Sequence, residues 1–211
     1  MSFLISESRS QAYQESFVIN VLNHKRNGFY VELGSAWAVK NSNTFLLESR
    51  YNWSGLSLEI NEKRANCFNK IRKNKCICTD AITFNYLEYL QNNNFPRQID
   101  YLQMDIHPAK DTLKALKKLP LDQYRFSVIT YEHNGYIDNF HKKIQKESQE
   151  ILKSYGYELV VENLILKEYN IPYEDWYVDP NFINFDQYKI FMSKNITNED
   201  LFSNRLERLD E

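Results

Sequence analysis

From Gly28 to Glu59 the chain reads GFYVELGSAWAVKNSNTFLLESRYNWSGLSLE: strand, glycine turn, helix, strand. Both strands carry an acid at or near their ends, Glu32 in the first and Glu59 in the second, and Gly34 follows the first at once. Two successive strands joined through a helix pair in parallel and need helices on both faces of their sheet. A nucleotide-like ligand is held by this arrangement, with a backbone turn for close approach and a carboxylate for ribose hydroxyls. The turn has one glycine where dinucleotide-binding loops carry two or three, so a pyrophosphate cradle is not indicated.

The alternation continues along the chain. The sequence predicts a helix over 10–22, strands at 29–33, 55–59, 75–78, 99–106 and 126–131, and a helix over 137–155 with Ile137, Phe140, Ile144, Ile151 and Leu152 inward. Ser42 or Asn43 caps the helix carrying Phe45–Leu47, and Asn61 caps the next, with Glu62 in its first turn. Pro108 opens a helix that Pro120 stops, and Gly156 sits where a left-handed cap is expected. Segments 157–161 and 176–178 read as the last strands, and 200–208 as a closing helix. Strands alternating with helices imply an α/β fold with a mainly parallel sheet. A single domain over 1–211 is expected, with an N-terminal helical segment (1–27), a Rossmann-like core (28–180) and a C-terminal extension (181–211).

Composition narrows the class. The 211 residues are 43% hydrophobic and 15% aromatic, enough for one packed core. The 26 basic and 28 acidic side chains leave a net charge of −2, which gives no electrostatic reason to expect nucleic acid as partner. The runs RANCFNKIRKNK and HKKIQK read as solvated helix faces. No apolar run approaches the ~20 residues of a membrane span, and the first residues lack the basic and apolar regions of a secretory signal. Three cysteines, Cys67, Cys76 and Cys78, are an odd number and suit reduced thiols rather than a disulfide framework. A cytoplasmic location is the expectation, and a homodimer is compatible with the sequence.

Polar residues finish strand after strand: Glu32-Leu33-Gly34-Ser35, Glu59, Thr79-Asp80-Ala81, Asp105-Ile106-His107 and Glu132-His133-Asn134. One strand-end acid is an ordinary cap or ion-pair partner; several on one edge of a sheet point to a site, since ligands bind at the carboxyl ends of such strands.

At these residues the chain resembles the FkbM-type S-adenosylmethionine-dependent methyltransferases. The resemblance covers about residues 10–180, and its most specific pieces are Ser42-Asn43-Thr44, Trp53-Ser54-Gly55-Leu56 and Glu174-Asp175-Trp176-Tyr177-Val178. It implies a Rossmann-like class I methyltransferase sheet of seven strands, the last antiparallel, and methyl transfer to an oxygen, commonly a sugar hydroxyl of a glycan, nucleotide sugar or glycosylated metabolite. It also implies that Glu32, Gly34, Ser35 and Ala36 line the methionine end of the cofactor and that Asn43 and Thr44 fix its amino-acid group. Glu59 would accept both ribose hydroxyls, Ile60 would lie along the adenine, and Asp80 would accept from the adenine amino group, with Ala81 beside it.

A sugar hydroxyl is a poor nucleophile at neutral pH and needs a base or a cation nearby. His133 or His107 is the expected base, because imidazole titrates near neutrality. Asp105 is expected to face the sulfonium side of the cofactor or a metal. A divalent ion, Mg or Mn, is conceivable between Asp105 and Glu132. Two departures from the family pattern stand out. Asp-Ile-Glu-Gly-Ala-Glu after the fourth strand is here Asp105-Ile106-His107-Pro108-Ala109-Lys110, so both glutamates and the glycine are replaced; and Ala36-Trp37-Ala38-Val39-Lys40, in which Trp37 is either a lid or a packing residue, stands in the loop where the family tends to carry Asp-Gly. These departures keep open a non-catalytic protein with the same fold. A nicotinamide-dependent enzyme is the least favoured reading, since G-x-G-x-x-G is missing.

Overall fold

The alternation of strands and helices is realised in a computed structural model, which describes residues 7–134 and 138–206. In chain order these residues form α1 (Gln14–Val21), β1 (Phe29–Leu33), α2 (Phe45–Tyr51), β2 (Ser54–Glu59), α3 (Glu62–Ile71), β3 (Lys75–Cys78), α4 (Tyr86–Asn92) and β4 (Gln98–Met104). There follow α5 (Ala109–Leu116), β5 (Arg125–Glu132), α6 (Asn139–Ser154), β6 (Glu158–Leu166), β7 (Ile171–Val178), α7 (Phe185–Tyr188), β8 (Ser193–Lys194) and α8 (Asn198–Leu206). One sheet holds the eight strands in the order β3-β2-β1-β4-β5-β7-β6-β8. β7 runs antiparallel to both of its neighbours, and the other pairings are parallel.

The expected α/β class and mainly parallel sheet are therefore observed, with eight strands instead of seven. The extra one is the two-residue β8, laid beside β6. β6 and β7 run longer than their apolar stretches suggest because they pair with each other through several register shifts, which accommodate polar residues such as Asn163. Ile137 lies outside the described residues. Of the other residues expected to face inward on α6, Ile144 and Leu152 are buried and Ile151 is half-buried, but Phe140 is exposed. Asn61 caps α3 by accepting from the Arg64 amide, and Gly156 has φ +81° directly after α6.

Strand parity builds two cores. Tyr30, Tyr101, Val128, Trp176 and Val178 point to one face, under α1, α2 and the C-terminal segment, where Ile183, Tyr188, Phe191, Leu201 and Phe202 also pack. Val31, Leu33, Leu102, Met104, Ile129, Tyr131 and Tyr177 point to the other face, under α4, α5 and α6. α1 is buried on all sides, so its polar residues need internal partners. Gln14 Nε2 donates to Glu174 Oε1 at 2.8 Å, and Glu15 accepts from the amides of Leu46 at 2.5 Å and Arg9 at 2.8 Å.

Burial raises Glu15 to about 7 and Glu174 to about 8 against the ordinary 4.5, with these hydrogen bonds working in the opposite direction. A raised acid stabilises the fold most where it is protonated. Between pH 4.5 and 8 the unfolded chain sheds these protons while the folded chain keeps them, so stability falls as pH rises through that window. Urea unfolding between pH 5 and 8 should show a loss of a few kcal/mol, about 1.4 kcal/mol per pKa unit for each group. Glu174→Gln should flatten the slope; an unchanged slope would show that Glu174 does not carry it.

Candidate functional site

The chain order reverses at β1, which lies between β2 and β4, and a cleft of about 270 Å³ opens at the carboxyl ends of these strands and β3. Its floor is set by Gly34. At φ +82° this residue turns the chain away from β1, and a Cβ there would stand 1.9 Å from the Asp105 carbonyl oxygen. No side chain fits at that position, and the amides of Gly34 and Ser35 both donate to the Leu58 carbonyl. Ala36 then takes φ +47°, a costly conformation for a residue with a Cβ. It is held there because its amide donates to Glu59 Oε2 at 2.9 Å.

Glu59 also accepts from the Asn61 amide through Oε1 at 2.8 Å. A carboxylate offers about four acceptor positions, so Glu59 is fixed by two backbone donors and keeps acceptor capacity on the cleft it lines. Asp80 is oriented by the Ile82 amide at 2.8 Å, and the Tyr86 hydroxyl pins the Ala81 carbonyl at 2.6 Å. Gly34, Ala36, Glu59, Ile60, Asp80, Ala81, Asp105 and His107 all line this one cleft.

Other expected residues lie elsewhere. Ser35 is buried with its hydroxyl 3.4 Å from the Cys76 sulfur, so its side chain packs toward β3 instead of lining the cleft. Glu32 is buried on the sheet face below α2, accepting from Thr44 Oγ1 at 2.9 Å and Ser57 Oγ at 2.6 Å; burial raises its pKa, and the Arg72 charge and these bonds oppose the rise. Asn43 is buried as well, and its Oδ1 has no hydrogen-bond partner among the described residues.

Arg72 explains why this layer is polar. It is buried at the end of α3, and it donates to Glu48 at 3.0 Å, to Ser42 Oγ and the Ala38 carbonyl at 3.1 Å each, and to Thr44 Oγ1 at 3.0 Å. The Phe68 ring lies 4.6 Å from the guanidinium carbon. The run RANCFNKIRKNK is thus not wholly a solvated face. Its last arginine turns inward to tie the segment between β1 and α2 to α3, and an isolated Arg in a Lys-rich run carries no signal of that.

The second part of the site stands at the ends of β4 and β5. Burial raises the Asp105 pKa well above the carboxylate range, and the hydrogen-bonded carboxyl of Glu132 and the nearby Glu174 add to the rise. Asn134 Nδ2 donates to Glu132 at 2.8 Å, and the Tyr173 hydroxyl, which neighbours both acids, donates to Gln11 at 3.2 Å. Among the described residues no group of three or more His, Cys, Asp or Glu side chains is arranged to hold a metal ion, so the ion expected at Asp105 and Glu132 finds no support.

The two histidines separate. His107 is exposed on the cleft. His133, expected as a base, is fully buried with Nε2 3.5 Å from Asp175 Oδ1, on the face that α6 covers. Neighbours on a strand point to opposite faces, so Glu132 and His133 cannot serve the same site. Although burial works to raise the Asp175 pKa, the His133 hydrogen bond and its other donors bring it below the ordinary value. Arg64 and Asp111 also line the cleft and were not anticipated. Arg64 follows Glu59 by five residues, in the first turn of the helix that Asn61 caps, and that placement was the available signal.

No protein-family model and no curated protein matches the chain. Among solved structures, cofactor-bound Rv0187 from MTB matches with a TM-score of 0.58 and 11% identity, over 82% of this chain and 81% of that one. The O-methyltransferase from Bacillus cereus in complex with SAH matches with a TM-score of 0.56 and 12% identity, over 83% and 84%. An rRNA methylase from Streptococcus thermophilus matches with a TM-score of 0.51 and 13% identity, over 78% and 93%. The chain has the Rossmann-like methyltransferase fold. Its cleft, at the point where the strand order of that fold reverses, offers a suitable donor set for an adenosyl amino acid: a turn closed to side chains at Gly34 and a fixed carboxylate at Glu59.

Arg72→Met should cost about 3–5 kcal/mol in urea unfolding, because it leaves Glu48 buried without its partner. Arg72→Lys should recover only part of that loss, since an ammonium cannot reproduce the fork. Full recovery by lysine would show that the charge alone matters.

Proposed function

We propose that this chain is an S-adenosylmethionine-dependent O-methyltransferase of FkbM-like type acting on a sugar hydroxyl. The observation that carries the reading is the convergence of Gly34, Glu59, Asp80, Ala81 and Asp105 on one cleft, with Glu132 next to Asp105. The sequence resemblance across residues 10–180 supports the same assignment.

When bound, S-adenosylmethionine supplies an electrophilic methyl group on a sulfonium sulfur. The residues that would hold it are Glu59 for the ribose hydroxyls, Asp80, Ala81 and Ile60 for the adenine, and Asn43 for the amino-acid end. The chain's own chemical task is to hold an acceptor hydroxyl in line and to take its proton as the oxygen–carbon bond forms. The Asp105–Glu132 pair suits that task. Burial and the neighbouring Glu132 carboxyl raise the proton affinity of Asp105, so its ionised form is a stronger base than a solvated carboxylate. Gln11, Asn134 and Tyr173 around the pair supply hydrogen-bonding groups of the kind that polyols use.

RNA methylases share the fold, but the cleft here is lined by Glu59, Asp80, Asp105 and Asp111 against one arginine, which disfavours a polyanionic acceptor. Base and cofactor roles separate in a direct experiment. Calorimetry with S-adenosylhomocysteine should show binding by the wild type and a loss of at least about tenfold in Glu59→Ala, the scale of one charge-assisted hydrogen bond. Asp105→Asn should keep that affinity and lower transfer of labelled methyl to nucleotide sugars and glycan fragments by about a hundredfold or more, the usual share of a general base. Absence of binding by the wild type would refute the cofactor assignment. Binding without transfer to any sugar would favour a non-catalytic role for the fold.

A further inference from the structure

Trp37 is one of the large apolar side chains left open to solvent, 53% exposed, while Trp53 and Trp176 are buried. It follows Ala36 directly, and its indole does not face solvent alone. The Arg64 guanidinium lies over the ring, 5.1 Å from its centroid. Arg64 is held at both ends: its amide donates to the Asn61 side chain at 3.1 Å, and its head rests on the indole. An exposed arginine ordinarily samples many rotamers, and ordering it costs conformational entropy. Here that ordering is already met by Trp37.

A guanidinium is planar and has two faces. Trp37 covers one of them, while Arg64 itself lines the cleft together with Glu59, Ile60 and Ala81. We propose that Arg64, backed by Trp37, is the outer wall of an adenosine subsite, stacking on the purine opposite Ala81 and setting the specificity of the cleft for a purine nucleoside. The assignment rests on the cofactor reading above and adds to it two residues that act as one unit. Arginine stacks on aromatic faces more readily than lysine does, because its charge is delocalised and weakly hydrated. A bare surface contact between α3 and the loop after Gly34 would give the same pair in the free protein, but it would not couple to a ligand.

S-Adenosylhomocysteine carries no sulfonium charge, so its binding to the full chain reads stacking without repulsion between cations. In calorimetry, Arg64→Ala and Trp37→Leu should each weaken it by about tenfold, and the double substitution should be little worse than the weaker-binding single, as expected for groups acting as a unit. Arg64→Lys should recover less than half of the loss on a logarithmic scale. Tryptophan emission should change on titration of the wild type and stay constant in Trp37→Leu. Both side chains are exposed, so the unfolding midpoints should hold and folding does not confound the result. Single substitutions that leave affinity within twofold, or losses that add in the double, overturn the assignment of Arg64 and Trp37 while a sensitive Glu59→Ala leaves the cofactor reading standing. A wild type that binds neither S-adenosylhomocysteine nor adenosine overturns both.

Discussion

The Arg72 guanidinium is the point on which the polar layer of this fold depends. A buried charge is tolerable only when its partners are in place, and here those partners come from three parts of the chain. Glu48 lies on α2; Ala38, Ser42 and Thr44 belong to the segment leading into α2; and the Tyr30 hydroxyl, 3.4 Å from Nη2, projects from β1. Thr44 passes the connection on to Glu32, whose other oxygen accepts from Ser57 on β2. One cation thereby fixes the path of the chain between the Gly34 turn and α2 and makes two carboxylates bearable under it. The family resemblance assigned Glu32 and Thr44 to the cofactor's methionine end. Their partners show that both are already committed to supporting the loop, which leaves the neighbouring Asn43 with the free acceptor.

Strand parity decides the rest of the site. Glu132 and Glu174 face each other across the β5–β7 pair, and Asp105 comes from the neighbouring β4 onto the same side. Burial and the neighbouring acids raise Asp105 and Glu174, and Glu174 is stabilised by donors from Gln14 and Trp176. His133 and Asp175, each one residue on, fall on the opposite face, where Gln149 at 2.8 Å and Gln145 bind Asp175 to α6. The two sets are adjacent in sequence and separated by the thickness of the sheet, so a base inferred from the triplet Glu132-His133-Asn134 had even chances of falling on either residue.

The fold was legible because its signals are local. Apolar runs of five or so residues, Gly34, the Asn61 cap and Gly156 each act within a few residues of themselves, and they placed β1 and β3 at their observed bounds. The convergence of Glu59 and Asp80 on one cleft was legible for a similar reason: Glu59 ends β2 and Asp80 closely follows β3 in a sheet whose order brings those ends together. What the sequence hid is whatever depends on long-range pairing. β8 exists because β6 offers an edge. Arg72 is buried because the α2 segment, 28 to 34 residues earlier, curls over it. Ser35 turns from the cleft because Cys76, 41 residues later, receives it. None of these has a periodicity to read.

Glu59 shows how the two kinds of information meet. Its position after β2 is a local signal, but its usefulness depends on the Ala36 amide, which reaches it only because Gly34 closes the turn against Asp105 and Ala36 accepts a left-handed backbone. The strain at Ala36 and the fixed carboxylate offset each other. A relaxed loop would free Glu59 to move, and a freed Glu59 would remove the bond that holds the loop. A ligand that takes the remaining acceptor positions of Glu59 does not have to displace the backbone donors, so the ordering is done before it arrives and less binding energy goes into it. The same logic applies to Arg64 on Trp37. Both walls of the cleft come from residues whose freedom is already spent, one on a backbone amide and one on an indole face, and this prior ordering is what distinguishes the cleft from an acid-lined groove on the surface.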